Sequence, residues 1–289
     1  MPAELILTVA VQGILTGLVY GLMALGLSVI FGVVRVVNFA HGEMMTIASY
    51  AAIVAFGAWN IDPLVSMIPI AVLLFAMGYA MQAALINPFI NRPEHSQFIL
   101  LAAVAIIMVN GLLMIFGPDA RNVLVDYALD SIEVGPLLID KVRVITAVLA
   151  LAITAGLFAF FKLSRIGKAI RACADNHMGA LVVGLNVKRL YALTFGIGSA
   201  IVGAAGAMMT LLIDTTPNVG PVFTLQAFVI VIIGGLGSMP GALLGGVLIG
   251  LTEAMAGLFF APSAKTMFGV AILILVLLFR PQGLLGRKA

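Results

Sequence analysis

From Leu5 to Val34 the chain runs without one charged side chain. A membrane-crossing helix needs about 20 consecutive apolar residues, so this stretch alone is long enough to span a bilayer. It is far too long for the apolar region of a signal peptide, and the preceding MPAEL lacks the basic leader such peptides carry. A retained first helix is expected. Further apolar runs follow at about 44–58, 64–87, 97–117, 142–161, 191–213, 222–237, 241–259 and 265–279. They are continuous instead of alternating in polarity at short intervals, which excludes a transmembrane β-barrel. The expected fold is an all-α polytopic membrane protein, one domain over residues 1–289 with a bundle of 8–10 helices. The runs at 44–58 and 222–237 are short, and either is also readable as a half-helix that enters and leaves on one side.

Charged residues make up 9% of the chain, against about 25% in soluble domains, and no length is left for a separate soluble domain. The charges that remain alternate in sign along the chain. Arg35, Arg92, the group from Lys162 to Arg189, and Arg280 with Arg287 and Lys288 fall in one set of connections; Glu4, Asp62, the acidic 119–140 stretch and Asp214 fall in the other. Bases are retained on the cytoplasmic side, which places the N-terminus outside and the C-terminus inside and accounts for the net charge of +3 without a nucleic-acid partner.

The one cysteine, Cys173, excludes an internal disulfide, and His41, His95 and His177 show no paired ligand spacing. No catalytic, metal or cofactor site is expected. Gly13, Gly17 and Gly21, Gly241 with Gly245, and Gly246 with Gly250 repeat at four-residue intervals, a spacing that lets helices approach closely in a membrane.

Two polar interruptions stand out. In VVRVVNFAHGEMM, residues 33–45, Asn38, His41 and Glu43 would each be costly if turned unsatisfied toward lipid, and Gly42 permits a break. In GGLGSMPG, residues 234–241, Gly234, Gly235, Gly237 and Ser238 offer a second break. Broken or re-entrant segments near 34–44 and 234–241 would line a translocation path or gate, as broken helices do in transporters. The alternative is an ordinary cytoplasmic turn in which Asn38 starts the next helix. Glu253, in the eighth run, lies near enough to an end to reach water, and Met44, Met45, Met208 and Met209 read as packing residues.

The loop 162–190 carries six bases and one acid, Asp175. Within it Ile166, Ile170, Cys173 and Ala174, then Leu181, Val182 and Leu185, recur at helical spacing, the pattern of one or two short amphipathic helices, with Asp175 and Asn176 placed to cap the second. A basic turn on lipid headgroups and a greasy helix lying in a partner's groove both remain open. The acidic loop 118–140 contains SIEVGPLLID, which alternates and turns at Gly135–Pro136, so a short hairpin is expected there.

Four blocks, GLSVIFGVVRVVNFAHGEMMTIASYAA, GKAIRACADNHMGALVVGLNVKRLYALTFGIGSAIVGAAGAMM, AFVIVIIGGLGSMPGALLGGVLIGLTEA and RPQGLLGR, occur in this order. Together they resemble the shorter of the two permease types of branched-chain amino-acid ABC importers. The resemblance covers nearly the whole chain and is weakest at 60–140. It implies a subunit of the bacterial-type inner membrane that forms a solute path with a second, related permease. Two separate ATPase subunits would supply energy, and an external binding protein would deliver the solute. ATP would be bound on those partners, since SRIGKAI lacks the remaining residues of a phosphate loop. The resemblance also implies an ATPase-coupling segment at Arg171–Gly184, including Ala172, Ala174, Asp175 and Ala180. The resemblance implies branched-chain or related amino acids as the solute, with a permease for urea, short amides or another small polar solute as the alternative. An ion-coupled secondary transporter is a further alternative, for which Glu43 and Glu253 are the available membrane carboxylates.

Overall fold

The computed structural model describes residues 3–90, 92–135, 137–260 and 265–286. Each of the apolar runs becomes a helix. In chain order these are α1 (Ala3–Val34), α2 (His41–Trp59), α3 (Pro63–Ala80), α4 (Glu94–Phe116), α5 (Lys141–Leu163), α8 (Val187–Met209), α9 (Gly220–Gly234), α10 (Met239–Phe259) and α11 (Lys265–Phe279). Between α5 and α8 lie two short helices, α6 (Arg165–Asp175) and α7 (His177–Val182). Among the described residues, seven helical segments are long and apolar enough to cross a membrane. The exceptions among the nine runs are α2, which begins with three polar or small residues, and α11, which has 15 residues.

Helix boundaries follow from local chemistry. Asp62 caps α3 by accepting from the Leu64 amide at 2.8 Å, with Pro63 in the first turn, where a missing N–H costs nothing. Ser164, Asn176 and Asn186 cap α6, α7 and α8 in the same way. Asn176 thus plays the expected capping role, while Asp175 ends α6. Asn38 does not start the second helix: its side chain accepts from the Ala40 amide at 3.1 Å, and α2 begins at His41. Past Ala80, α3 continues as a wider turn at Met81–Ile86 and a tighter one at Asn87–Phe89.

The connections sort onto two faces. On one, the Tyr127 hydroxyl donates to Asp62 at 2.7 Å, Arg121 pairs with Thr215, and Asn122 donates to Asp214 at 3.0 Å. This face carries the expected hairpin, β1 (Ser131–Val134) antiparallel to β2 (Leu137–Asp140), with Ser131 opposite Asp140. Pro136, at its turn, lies outside the described residues. On the opposite face Asn87 donates to the Lys188 carbonyl at 3.3 Å, and α6 and α7 lie there with most of the bases.

Helices α1 and α8 form the core, while α4 and α11 expose apolar side chains such as Ile107, Met114 and Leu278 around the outside. An apolar exterior suits a bilayer, where every backbone polar group is satisfied within the helices. α1 packs along α10 through glycine: a side-chain carbon at Gly17 would come within 2.7 Å of the Gly246 carbonyl, and one at Gly13 within 2.8 Å of the Gly250 carbonyl. Gly245 serves the other side of α10, against Ile230 of α9.

The packing is reciprocal. α1 lies on α10 as α8 lies on α3; α2 touches α8 as α9 touches α1; α1 crosses α8, and α2 meets α9. Exchanging α1–α2–α3 with α8–α9–α10 leaves this pattern unchanged. α1 runs from the hairpin face to the basic face and α8 runs back, so the two sets form an inverted repeat of the kind that places a working centre between its halves.

The last described residues close the basic face. The amides of Leu284 and Leu285 donate to the Ile233 and Gly234 carbonyls at 2.8 and 3.0 Å, completing the end of α9. Gly235 and Gly283, both with positive φ, meet there, and a side-chain carbon at Gly283 would lie 2.5 Å from the Gly235 Cα.

Candidate functional site

The first polar interruption is a true break. α1 ends at Val34, Arg35 takes a left-handed conformation with φ 59°, and the chain turns back through residues 36–40. His41 Nε2 lies 3.0 Å from the Met23 carbonyl, eleven residues before the end of α1, about 16 Å along that helix. A carbonyl only accepts, so Nε2 carries the hydrogen and Nδ1 is a bare acceptor without a partner among the described residues.

Here α2 meets α9. The Gly42 amide donates to Thr224 Oγ1 at 2.8 Å, and the Thr224 hydroxyl lies 3.0 Å from Glu43 Oε2. The start of α9 at Gly220 packs directly on Gly42, where a side-chain carbon would collide with the Gly220 carbonyl. Each helix N-terminus carries about half a positive charge. Two such ends face each other, and the Glu43 carboxyl is placed between them. Asn38, His41 and Glu43 are all buried, at 0%, 0% and 2% exposure. The arrangement is a sealed polar joint between the two halves of the repeat.

The second interruption lies elsewhere. Gly234 packs against Gly241 at the start of α10 and Gly235 against Gln282 and Gly286 of the C-terminal segment, whereas Gly237 and Ser238 line a cavity of about 1140 Å³ on the basic face. Ser238 also caps α10 by accepting from the Gly241 amide at 3.2 Å. The same cavity is lined by Arg35 and by Lys168, Arg171, Ala172, Ala174 and Asp175 of α6. Four of the residues expected to couple to an ATPase therefore share a wall with two of the expected gate residues.

Ala180 and Gly184 sit apart from that wall. α7 contacts the bundle through buried Ala180, and Gly184, with φ 82°, ends its turn. The expected apolar stripe divides: Ile170 and Cys173 are buried, but Ile166, Leu181 and Val182 remain exposed, Val182 at 85%. α7 has only six residues and lies against α6 and α8 along one edge, so its remaining apolar side chains have nothing to cover them. Burial pushes the Cys173 thiol up from its ordinary range, against a smaller opposing effect of the Tyr191 hydroxyl.

Sequence reasoning missed Thr224, Gly220 and the meeting of α2 with α9. A signal was available: Gly42 and Thr46 stand four apart at the start of one run, and Gly220 and Thr224 four apart at the start of another.

Residues 9–277 match the model of a family described as the permease component of branched-chain amino acid transport systems. The chain belongs to this family. Among its relatives in that permease family, the high-affinity branched-chain amino acid permease protein BraD of Pseudomonas aeruginosa is 30% identical, covering 96% of this chain and 94% of its own. LivH of Escherichia coli strain K12, with the same description, is 31% identical over the same shares. LivM of that strain, another permease protein of branched-chain amino acid transport, is 28% identical over 50% of this chain and 35% of its own.

Proposed function

We propose that the chain is one of a pair of related permeases in an ATP-driven importer of branched-chain amino acids. It works with two ATPase subunits that bind ATP and an external binding protein that delivers the solute. The hairpin face and the N-terminus are then outside, and the basic face and the C-terminus cytoplasmic. The sealed joint of Asn38, His41, Gly42 and Glu43 holds the halves of the repeat together, and the segment Gly234–Ser238 forms the gate at the cytoplasmic cavity.

The observation that carries this reading is the exposed apolar edge of α7 on the basic face, next to α6, which lines the cavity. Met178, Leu181, Val182 and Val183 are exposed at 67%, 47%, 85% and 74%. Apolar side chains held out from a basic surface are suited to a groove in a soluble partner, and the adjoining α6 reaches the cavity, so a push on α7 is passed to the gate.

Val182→Asp and Val183→Asp test it, because both side chains are outside the bundle and their loss costs the fold little. The ATPase subunits should fail to co-purify with either variant, and ATP-driven leucine uptake in vesicles should fall with them. Full co-purification and uptake would refute the coupling role. Leucine uptake by the isolated chain, driven by a proton or sodium gradient, would refute the importer itself.

A further inference from the structure

A smaller cavity, of about 240 Å³, lies where α1, α9, α10 and α11 meet. Pockets for drug-sized ligands begin near ~300 Å³, so this one suits a single small solute. Two charges of opposite sign line it: Glu253 on α10 and Lys265 at the start of α11. The Lys265 charge acts on Glu253, yet the two do not form an ion pair; among the described residues the ion pairs are Lys141–Asp130 and Arg143–Asp140.

Glu253 is held in place. Gln226 of α9 donates Nε2–H to its Oε1 at 3.0 Å, and the Tyr20 hydroxyl of α1 is within hydrogen-bonding reach. Phe223 and Ile249, both buried, supply an apolar wall. A carboxylate among membrane helices is costly unless something answers it, and side chains from two neighbouring helices, α1 and α9, hold this one at the cavity. A fixed anion, a separate cation and an apolar wall lining one cavity form the complement of an α-amino acid with an aliphatic side chain. Glu253 lies in the later half of α10, toward the hairpin face.

We propose that this cavity binds a free aliphatic amino acid as its zwitterion, with the ammonium group on Glu253, the carboxylate on Lys265 and the side chain against Phe223 and Ile249. The proposal rests on the importer reading above and adds to it: this chain reads both charged groups of the solute, independently of the binding protein. On the proposed orientation, the site receives the solute before it reaches the joint.

Binding of tritiated leucine to the purified complex of this chain with its partner subunits, without the binding protein, tests the assignment. Saturable binding is expected. Glu253→Gln keeps an acceptor for Gln226 but removes the charge, and Lys265→Gln removes the other; each should weaken binding about tenfold or more. Gly269→Leu provides a third variant that adds volume without a clash, since a side-chain carbon there meets only Ile249 Cδ1, at 3.7 Å. It should block the cavity and abolish binding while the subunits still co-purify.

ATP-driven leucine uptake by the same complex in vesicles, with the binding protein added, separates the two readings. Uptake without saturable binding, or binding unchanged in all three variants, overturns the site and leaves the importer standing. Absence of both overturns both. Loss of co-purified phosphatidylethanolamine in the variants, with leucine binding unchanged, gives the cavity to a lipid headgroup and also overturns the proposal.

Discussion

Thr224, on α9, satisfies two groups of the other half of the repeat at once: it accepts from the Gly42 amide and hydrogen-bonds Glu43. Both partners are buried, so removing the hydroxyl leaves a donor and an acceptor without water to replace it. Each such orphan costs about 1–3 kcal/mol. Thr224→Val preserves the shape of the side chain and should therefore isolate this effect. The purified chain should melt a few degrees lower in detergent, whereas Glu43→Gln, which can still engage Thr224, should lose less. Equal melting of Thr224→Val and the parent would show that the joint contributes nothing to stability.

Among the elements, α1 and α10 illustrate how close packing is specified. Their backbones approach through Gly13, Gly17, Gly246 and Gly250, and added volume there has nowhere to go. Gly17→Leu should force the helices apart and cost several kcal/mol, judged from overpacking penalties of about 1–3 kcal/mol for smaller insertions. Gly57→Leu, at a position with no neighbouring atom within 4 Å, should be neutral. Comparing recovery of monodisperse protein for the two variants checks this, and equal recovery would refute the tight seam. The glycine spacing, the helix runs, the hairpin and the two breaks were all legible in the sequence, because each is written in local composition. Less legible was which helix each glycine serves: Gly245 and Gly246 are neighbours, yet they face α9 and α1 respectively. The polar residues of the first break were recognised as needing partners, but Thr224 could not be named, since it lies 181 residues from Glu43 and ordinary threonines abound in membrane helices. The apolar content of α7 was legible, and a greasy helix suited to a partner's groove was one of two open readings; which side chains stay uncovered was not, since that follows from the brevity of the helix.

For the molecule as a whole, the division of charge between two faces makes the proposed orientation measurable. Cysteine placed at Asp126 should react with an impermeant thiol reagent in intact cells, and cysteine at Lys188 only after permeabilisation. The native Cys173 interferes little, being 1% exposed with its thiol raised by burial, conditions that keep it unreactive; Cys173→Ala removes the remainder. The reverse labelling pattern would invert the assignment of the faces. The inverted repeat belongs to this scale too, and it escaped sequence reading because its halves share few residues beyond glycine and threonine at matched positions. One long-range contact bears on how the molecule is made. The amides that complete α9 belong to Leu284 and Leu285, about fifty positions downstream. In the order of synthesis they follow both α10 and α11. Until then the carbonyls of Ile233 and Gly234 await their donors, and the floor of the large cavity is unfinished. The end of α9 is thus completed by a segment made after two further helices, and the basic face closes only when that segment docks.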